Sequence, residues 1–521
     1  MKKILVLFIL AFYCRYAVCQ HKSKPVSQLI KLDEKKYSGR SEIVNPEWVK
    51  VGVDNKLIYQ KDERGNQIMD FSGAGYMGGG IAIPDVPVKI TLAPASGDQT
   101  EAIQNAINKV GLMPLVNGFR GAVLLMPGTF NTSNTINLNT SGIVLRGSGS
   151  GNEGTVINWT GSTKKVCFNL SGTGNYAVTN SVTITDSYVP SGTKSFSVCK
   201  GSAYSKGDKV LIYRTVTKEW LSLMKMDLLV RDGKPQIWIK EGNQIITDRT
   251  IKSVSGNMVT LDVPLTDCFD SQYLGVPVGT MAKYTFPGRI EKAGIEHLRI
   301  IVPASSTDIY GAINMDNIID SWIRNIVSLE THNAFVVKNK AKRITLDSIV
   351  NNNSIPQTVP AHPATFSLTG TQILLSNSES NGKGAWAVVT QSVGTGPIVI
   401  LNFKSTQNYG IAPHSRWTTG VLADNCYLPE AIEGLSFRNR NIAGSGYGWT
   451  TGWSVAWNVI TPKFLLSNAP GTTNWVIGGD GTQTSRIRYG DTDGIYDHFN
   501  SIVVPQSLYL KQLSERQSKE E

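Results

Sequence analysis

Short apolar runs with period-two alternation recur between Gly294 and Asp480, and each ends in Asn, Asp, Gly or Ser. Leu298-Arg299-Ile300, Ile344-Thr345-Leu346, Val399-Ile400-Leu401-Asn402-Phe403, Val421-Leu422-Ala423 and Val455-Ala456-Trp457 are examples. With Ile295, Ile323, Ile344, Ile373, Val399, Val421, Val455 and Val476 as markers, the steps are 28, 21, 29, 26, 22, 34 and 21 residues. A short strand has two unpaired edges, and stacking each turn on the last satisfies them. Repeats of roughly 20–30 residues with a strand in each specify a solenoid. The pattern predicts an all-β chain folded as a right-handed parallel β-helix. Asn is frequent where the runs end, as in Asn351-Asn352-Asn353. It suits coil corners, because it tolerates left-handed backbone and its amide can bond the equivalent residue of the next coil.

The chain before the repeats predicts the remaining parts. Asp98-Gln99-Thr100-Glu101 reads as a helix start, with Asp98 accepting amide hydrogens and Glu101 reaching back. Ala102, Ile103, Ala106, Ile107 and Val110 follow at helical spacing. Such a helix is an N-terminal cap, covering the apolar interior that an open solenoid end exposes. Residues 197–290 break the rhythm and predict an inserted β-rich subdomain, with strands at 206–212 and 251–261 and a helical turn within 217–227. The layout expected is a signal peptide over 1–19, an N-terminal extension over 20–90, and cap and first coils over 91–196. The subdomain takes 197–290, the main β-helix 291–480, and a C-terminal cap with a mobile tail 481–521. Gly-rich Phe71 to Gly80 lacks the GKS/T ending of a phosphate loop and reads as tight backbone packing.

Composition narrows the setting. Lys2-Lys3, the apolar Ile4 to Phe12 and Ala17-Val18-Cys19 read as a secretory leader, so the protein is expected outside the cytoplasm, secreted or periplasmic. A lipidated Cys19 is the alternative. The leader core is too short to span a bilayer, and no later stretch reaches that length. The net charge of +11 falls to +8 without Lys2, Lys3 and Arg15 (11 − 3). That excess suits a polyanionic partner. Cys167, Cys199, Cys268 and Cys426 are far apart and make neither a zinc site nor a dense disulfide framework.

Several motifs carry a resemblance. Asp98-x-Thr100-x-x-Ile103-Gln104-x-Ala106-Ile107, Pro127-Gly128-x-Phe130 and Leu145-Arg146-Gly147-x-Gly149 resemble the start of pectate-lyase-like right-handed β-helix proteins. Gly118-Phe119-Arg120-Gly121-Ala122-Val123, Pro413-His414-x-Arg416-Trp417 and Gly444-Ser445-Gly446-Tyr447-Gly448-Trp449 extend it to a group of secreted bacterial β-helix proteins of unassigned activity. The resemblance implies the fold over most of residues 70–480. Its superfamily contains lyases, hydrolases, epimerases, esterases and non-enzymatic fibres, so it implies no single activity. In the group, the place of Tyr447 is often His.

The longest step, between Val421 and Val455, predicts a long loop, and long loops carry function. The loop holds Arg438, Arg440, Tyr447, Trp449 and Trp453, and the corner before it holds Tyr409, His414, Arg416 and Trp417. Six of the eleven Trp lie between 386 and 475. Aromatic faces stack on sugar rings, and Arg forks hold carboxylates. These residues predict a groove for an anionic, uronate-containing polysaccharide. β-Elimination needs a neutralised carboxylate, a base and an acid. His414, Arg416, Tyr447 and Lys383 are the catalytic candidates. Trp386, Trp417, Trp449, Arg438, Arg440, His332 and His362 are the substrate-binding ones. Trp457 and Trp475 fall in strand-like runs and read as core. No cofactor or nucleic-acid partner is expected, and a monomer is.

A metal is not expected, because no tight carboxylate cluster appears; Asp316 with Asp320, or Asp347 with Asp424, would have to converge. A glycoside hydrolase is the second reading and needs two carboxyl groups flanking the bond, for which Asp316 and Asp320 are the nearest pair. A non-catalytic carbohydrate-binding rod is the third.

Overall fold

The computed structural model describes residues 43–484 and 491–520. The expected leader, with Cys14 and Cys19, and the stretch His21 to Lys36 lie outside the described residues. From Val88 onward the chain winds as a right-handed parallel β-helix of three faces. One face is a sheet of eleven strands, and a continuous sheet of eighteen strands forms the other two.

A single inward ladder shows the register. Val123, Leu145, Ile295, Ile323, Leu346, Leu375, Ile400, Ala423, Ala456 and Val476 are opposite one another on successive coils. From Ile295 the true steps are 28, 23, 29, 25, 23, 33 and 20 residues. The sequence markers fall within two residues of these rungs. All ten side chains are sealed in the rod. A second inward row stacks Ile136, Phe168, Ile313, Phe335, Phe366, Val388, Ile411, Leu435 and Phe464. Phe335 and Phe366 are parallel with centroids 5.1 Å apart.

From Ile295 onward, two residues beyond each inward rung the chain turns through left-handed backbone. Asn325, Asn377, Asn402, Asn425 and Asn458 occupy this corner with φ between 48° and 55°. The amides chain together, Asn402 Nδ2 to Asn377 Oδ1 at 3.2 Å and Asn425 Nδ2 to Asn402 Oδ1 at 2.7 Å. The expected role of corner Asn is observed here. In the triplet singled out from sequence, Asn352 receives an amide bond from Asn381 at 2.8 Å.

The cap helix spans Thr100–Gly111 and buries Ile103, Ala106, Ile107 and Val110 over the first coils, while Ala102 faces solvent. Asp98 accepts from the Thr100 amide at 2.8 Å, but Glu101 is exposed and does not reach back. At the other end a helix, Leu508–Glu520, begins within the stretch Val503 to Leu513 expected as a closing strand or helix and continues through residues expected as a mobile tail from Ser514. Asp424 caps it, accepting from Ser507 Oγ and the Tyr509 amide, each at 2.8 Å. Its Arg516 donates to the carbonyls of Ser72, Gly78 and Gly79. Side chains around Phe71, together with Leu508, Tyr509 and Leu513, cover the outer side of the rod at Val399, Leu422, Val455 and Trp475. The Gly-rich turn packs as tightly as expected: a Cβ on Gly79 would lie 2.5 Å from the Ala74 carbonyl.

The inserted subdomain separates adjacent rungs, since Leu145 pairs with Ile295 although they are 150 residues apart. Its antiparallel sheet begins at Ala177–Thr183, earlier than the break in rhythm suggested, and closes with Thr280–Thr285. The expected helical turn is Lys218–Leu223, capped by Thr217. Buried Arg249 fastens this unit to the rod. It donates to the carbonyls of Asp248, Val263, Pro264 and Gly396 and to Thr371 Oγ1 at 2.7–3.2 Å. Beside it, buried Asp248 accepts from Lys342 Nζ at 2.7 Å, Arg289 at 3.2 Å and the Tyr284 hydroxyl at 2.8 Å. Burial opposes that charge, but Lys342 and Arg289 overcome it and hold the Asp248 carboxyl below the usual range.

Arg249→Ala removes the shared donor of these carbonyls from a buried site, while Asp248 keeps Lys342 and Arg289. It should cost about 3–5 kcal/mol in denaturant unfolding of the full chain. A loss below about 1 kcal/mol would show that the cluster does not fasten the subdomain.

Candidate functional site

The expected site residues separate into two groups. His414, Tyr447 and Arg440 come together on the outside of the eleven-stranded face, across coils already in register. The strands Trp386–Thr390 and Gly410–Pro413 pair so that Trp386 stands beside Tyr409. The hydrogen bond from the His414 amide to the Thr390 carbonyl, 2.8 Å, continues that ladder. Rings then run across four coils. His362 lies against Tyr409 with centroids 4.5 Å apart and a 3.2 Å bond between its Nε2 and the Tyr409 hydroxyl. Tyr409 meets Trp386 at 5.3 Å, Trp386 meets His414 at 5.6 Å, and His414 meets Tyr447 at 5.2 Å. The Arg440 guanidinium lies over the Tyr447 ring at 4.9 Å and donates to the His414 carbonyl at 3.1 Å.

Arg416 joins the row from the side. Its guanidinium bonds Ser445 Oγ at 3.1 Å and its amide bonds the Tyr447 carbonyl at 3.3 Å. Arg416 and Trp417 are both left-handed, with φ of 55° and 50°. Backbone of this kind costs about 1–3 kcal/mol per residue and persists where surroundings enforce it. Gly444 sets Tyr447, since a Cβ there would lie 2.1 Å from the phenol ring.

The electrostatics are cationic. Burial first, then Arg440, Arg438 and His362, lower the His414 imidazole to about 3. It is therefore neutral at ordinary pH, and its Nδ1 is buried without a partner among the described residues. Burial and Arg438 lower the Arg440 guanidinium to about 10, which leaves it charged at neutral pH. Arg438 pairs with Glu433 at 3.6 Å, so it is not a free anchor for a ligand.

The tryptophan signal is corrected. Trp386 is only 5% exposed and supports Tyr409 and His414 from beneath instead of offering a face. Trp417 and Trp449 are sealed under the subdomain, packed with its Trp220 and Trp238. Trp417 Nε1 donates to Asp267 at 2.8 Å and Trp449 Nε1 to the Met224 carbonyl at 3.0 Å. Trp453, Trp457 and Trp475 are buried beneath the extension and the C-terminal helix, as expected of the last two. The ring faces at the surface belong to His362, Tyr409 and Tyr447. Tyr409 was seen only as a corner residue, and its stacking partners lie on other coils. Lys383 is exposed on the turn before Trp386 and takes part in none of the row's hydrogen bonds.

His332 is also corrected. It is 1% exposed, with Nδ1 against Asn353 Nδ2 at 3.2 Å, so it cannot meet a glycan. The Asn353 amide also donates to the Thr331 carbonyl at 3.1 Å, which makes His332 Nδ1 the acceptor. The carboxylates do not pair either. Asp316 bonds Lys338 at 3.4 Å, while Asp320 is buried against Arg343 at 2.5 Å. Asp347 and Asp424 share a register position but stand three rungs apart, roughly 14 Å at ordinary strand spacing. Among the described residues, no group of three or more His, Cys, Asp or Glu could hold a metal ion, and no helix is long and apolar enough to cross a membrane. The four cysteines after the leader are free thiols.

No known family model matches the chain, and no curated protein matches it. Solved structures similar to it include the Gp54 tailspike of Acinetobacter baumannii bacteriophage AP22, in complex with A. baumannii capsular saccharide. That pair is 12% identical over 80% of this chain and 75% of the tailspike, with a TM-score of 0.26. The tailspike of E. coli bacteriophage HK620, in complex with pentasaccharide, is 9% identical over 89% of this chain, with a TM-score of 0.41. This chain spans 64% of that one. Tailspike gp49 of Pseudomonas phage LKA1 is 11% identical over 77% of this chain and 70% of its own, with a TM-score of 0.27. These values do not single out the pectate-lyase-like group and carry no inference about activity.

Burial lowers the His332 imidazole to about 4, so the unfolded chain binds a proton that the folded one refuses between about pH 6.5 and 4. The associated stability is complete above about pH 6.5 and is lost as pH falls, by about 3 kcal/mol. His332→Gln should flatten the pH dependence of unfolding in that window. An unchanged slope would refute the assignment.

Proposed function

We propose that this protein binds an anionic polysaccharide along the eleven-stranded face and cleaves it by β-elimination at His414 and Tyr447. The observation that carries the reading is the ring row from His362 to Tyr447, flanked by Arg416 and Arg440. Strands repeat about every 4.8 Å along the axis. A glycan lying parallel to that axis meets Tyr409 and Tyr447 on neighbouring coils.

The chemistry follows from the charges. Arg416 and Arg440 hold the uronate carboxylate and make the adjacent C5 proton acidic. His414, neutral in the free protein, takes that proton. The C5–H electron pair becomes the C4=C5 double bond as the C4–O bond breaks, and the Tyr447 hydroxyl protonates the departing oxygen. Proton return from His414 through solvent restores both groups. An imidazole near 3 is a weak base, but a bound carboxylate offsets Arg440 and raises it. A hydrolase needs two carboxyl groups flanking the bond, and Glu433, the carboxylate beside the row, is paired to Arg438. Export from the cytoplasm and action as a monomer remain part of this proposal.

Incubation with uronate-containing glycans should raise near-ultraviolet absorbance from the conjugated double bond. His414→Ala and Tyr447→Phe should each lower kcat at least ~100-fold, and Arg416→Ala should mainly raise KM, with thermal unfolding nearly unchanged in all three. The acid limb of kcat should lie at higher pH than that of kcat/KM, because substrate raises His414. New reducing ends without absorbance would replace the lyase with a hydrolase, and glycan retention without either signal would leave a binding rod.

A further inference from the structure

A second cleft opens on the other side of the loop that carries Tyr447. Its volume is about 740 Å³, and the subdomain and the rod both line it. Leu223, Leu229, Ile442 and the edge of Trp449 give it an apolar floor. Leu228 and Val230, at its rim, are 85% and 53% exposed, an apolar surface that folding leaves uncovered.

The polar residues of the described lining are three asparagines, Thr492, Lys225 and Asp491. Asn439 is committed, accepting from the Asn441 backbone at 2.8 Å and donating to Asp491 at 3.4 Å. Asn468 is committed likewise, to the Asn474 amide at 2.7 Å and the Asp493 carbonyl at 3.2 Å. The Asn441 side-chain amide lines the cleft and makes no hydrogen bond among the described residues. Among the described residues Lys225 is the one cation of the lining and Asp491 the one carboxyl, whose ionisation burial disfavours. Apolar walls with a few convergent polar groups characterise small-ligand sites. The described lining has one group of each charge, which does not select a polyanion.

We propose that this cleft binds an uncharged sugar unit carrying an acetamido group. The Asn441 amide pairs reciprocally with the acetamide, one N–H to its carbonyl and one carbonyl to its N–H. Leu229 and Ile442 receive the acetyl methyl, and Asp491 takes a ring hydroxyl. The site is separate from the cationic row, and its occupation requires no turnover there.

Calorimetric titration of the full chain with di-N-acetylchitobiose tests it, with cellobiose as the probe lacking the acetamide. Binding of the first at or below about 1 mM, with at least tenfold weaker binding of the second, is expected. Asn441→Asp keeps a residue suited to left-handed backbone but removes the N–H donors, and should weaken binding at least tenfold. Leu228→Lys, at an exposed position that folding does not use, should weaken it as well. No heat with either sugar, equal binding of both, or wild-type binding by both variants would overturn the proposal. His414→Ala should bind the probe as wild type does, which separates this site from the lyase reading.

Discussion

In-register pairing of short parallel strands is the constraint from which the architecture follows. Each coil takes its hydrogen bonds from the coil before and gives them to the coil after, as in the ladder from Val123 to Val476. Such a stack fixes what the corners must be. From Ile295 onward the residue two places beyond each inward rung turns through left-handed backbone, and Asn tolerates this better than most residues with a side chain while bonding its neighbour on the next coil. The stack also fixes what its ends and outer faces must be. The first coil needs the amphipathic helix Thr100–Gly111, and the apolar outer side near Leu422 needs the extension and the helix Leu508–Glu520.

The same constraint explains why the subdomain is held by buried charge. An insertion between two rungs leaves the stack intact, because Leu145 still pairs with Ile295. Apolar packing alone would let the subdomain adopt several seats on the rod. Arg249 has one seat, where four carbonyls and a hydroxyl converge. Burying an ion is costly and adds little net stability, yet it penalises every misplaced arrangement strongly. The seat then determines the loop near Tyr447. A Cβ on Gly448 would lie 2.4 Å from Trp238, and the Trp238 indole donates to the Trp449 carbonyl at 3.0 Å. The subdomain is therefore a backing for the candidate site's loop.

The repeat was legible because it is local. Alternation, corner residues and step length are properties of a few tens of residues, and the markers came within two residues of the true rungs. The cap helix was legible for the same reason. The tryptophans were not, because what covers them comes from distant sequence. Trp417 and Trp449 are capped by Trp220 and Trp238, and Trp475 by Trp48 and the C-terminal helix. A cluster of aromatics along a solenoid has two physical readings, a binding strip or a seat for another element. Only knowledge of where the insertion folds separates them. His414, Arg440 and Tyr447 were found because loop and corner lie on adjacent coils. His332 was misplaced because a corner's inward or outward sense turns on a single residue of register.

The loop itself shows how one short segment can serve two chemistries. Arg440 N bonds the Gly448 carbonyl, Thr450 N bonds the Arg438 carbonyl, and Asn439 bridges Trp449, so residues 438–440 run extended beside the returning segment before the chain turns at Asn441, whose φ is 46°. Alternation along the extended residues places Arg438 and Arg440 on one side and Asn439 on the other, and the turn at Asn441 brings its side chain to the cleft beside Asn439. The arginines face His414 and depress it, and the asparagines line the apolar cleft. A shift of one residue would put guanidinium groups into the apolar cleft and remove the positive charge from the row. Gly444, Gly446 and Gly448, all at positive φ, let the returning segment pack without side chains that would force such a shift. The two sides of this segment are therefore kept distinct by backbone geometry, and the charge pattern of the sequence is read out as two separate surfaces.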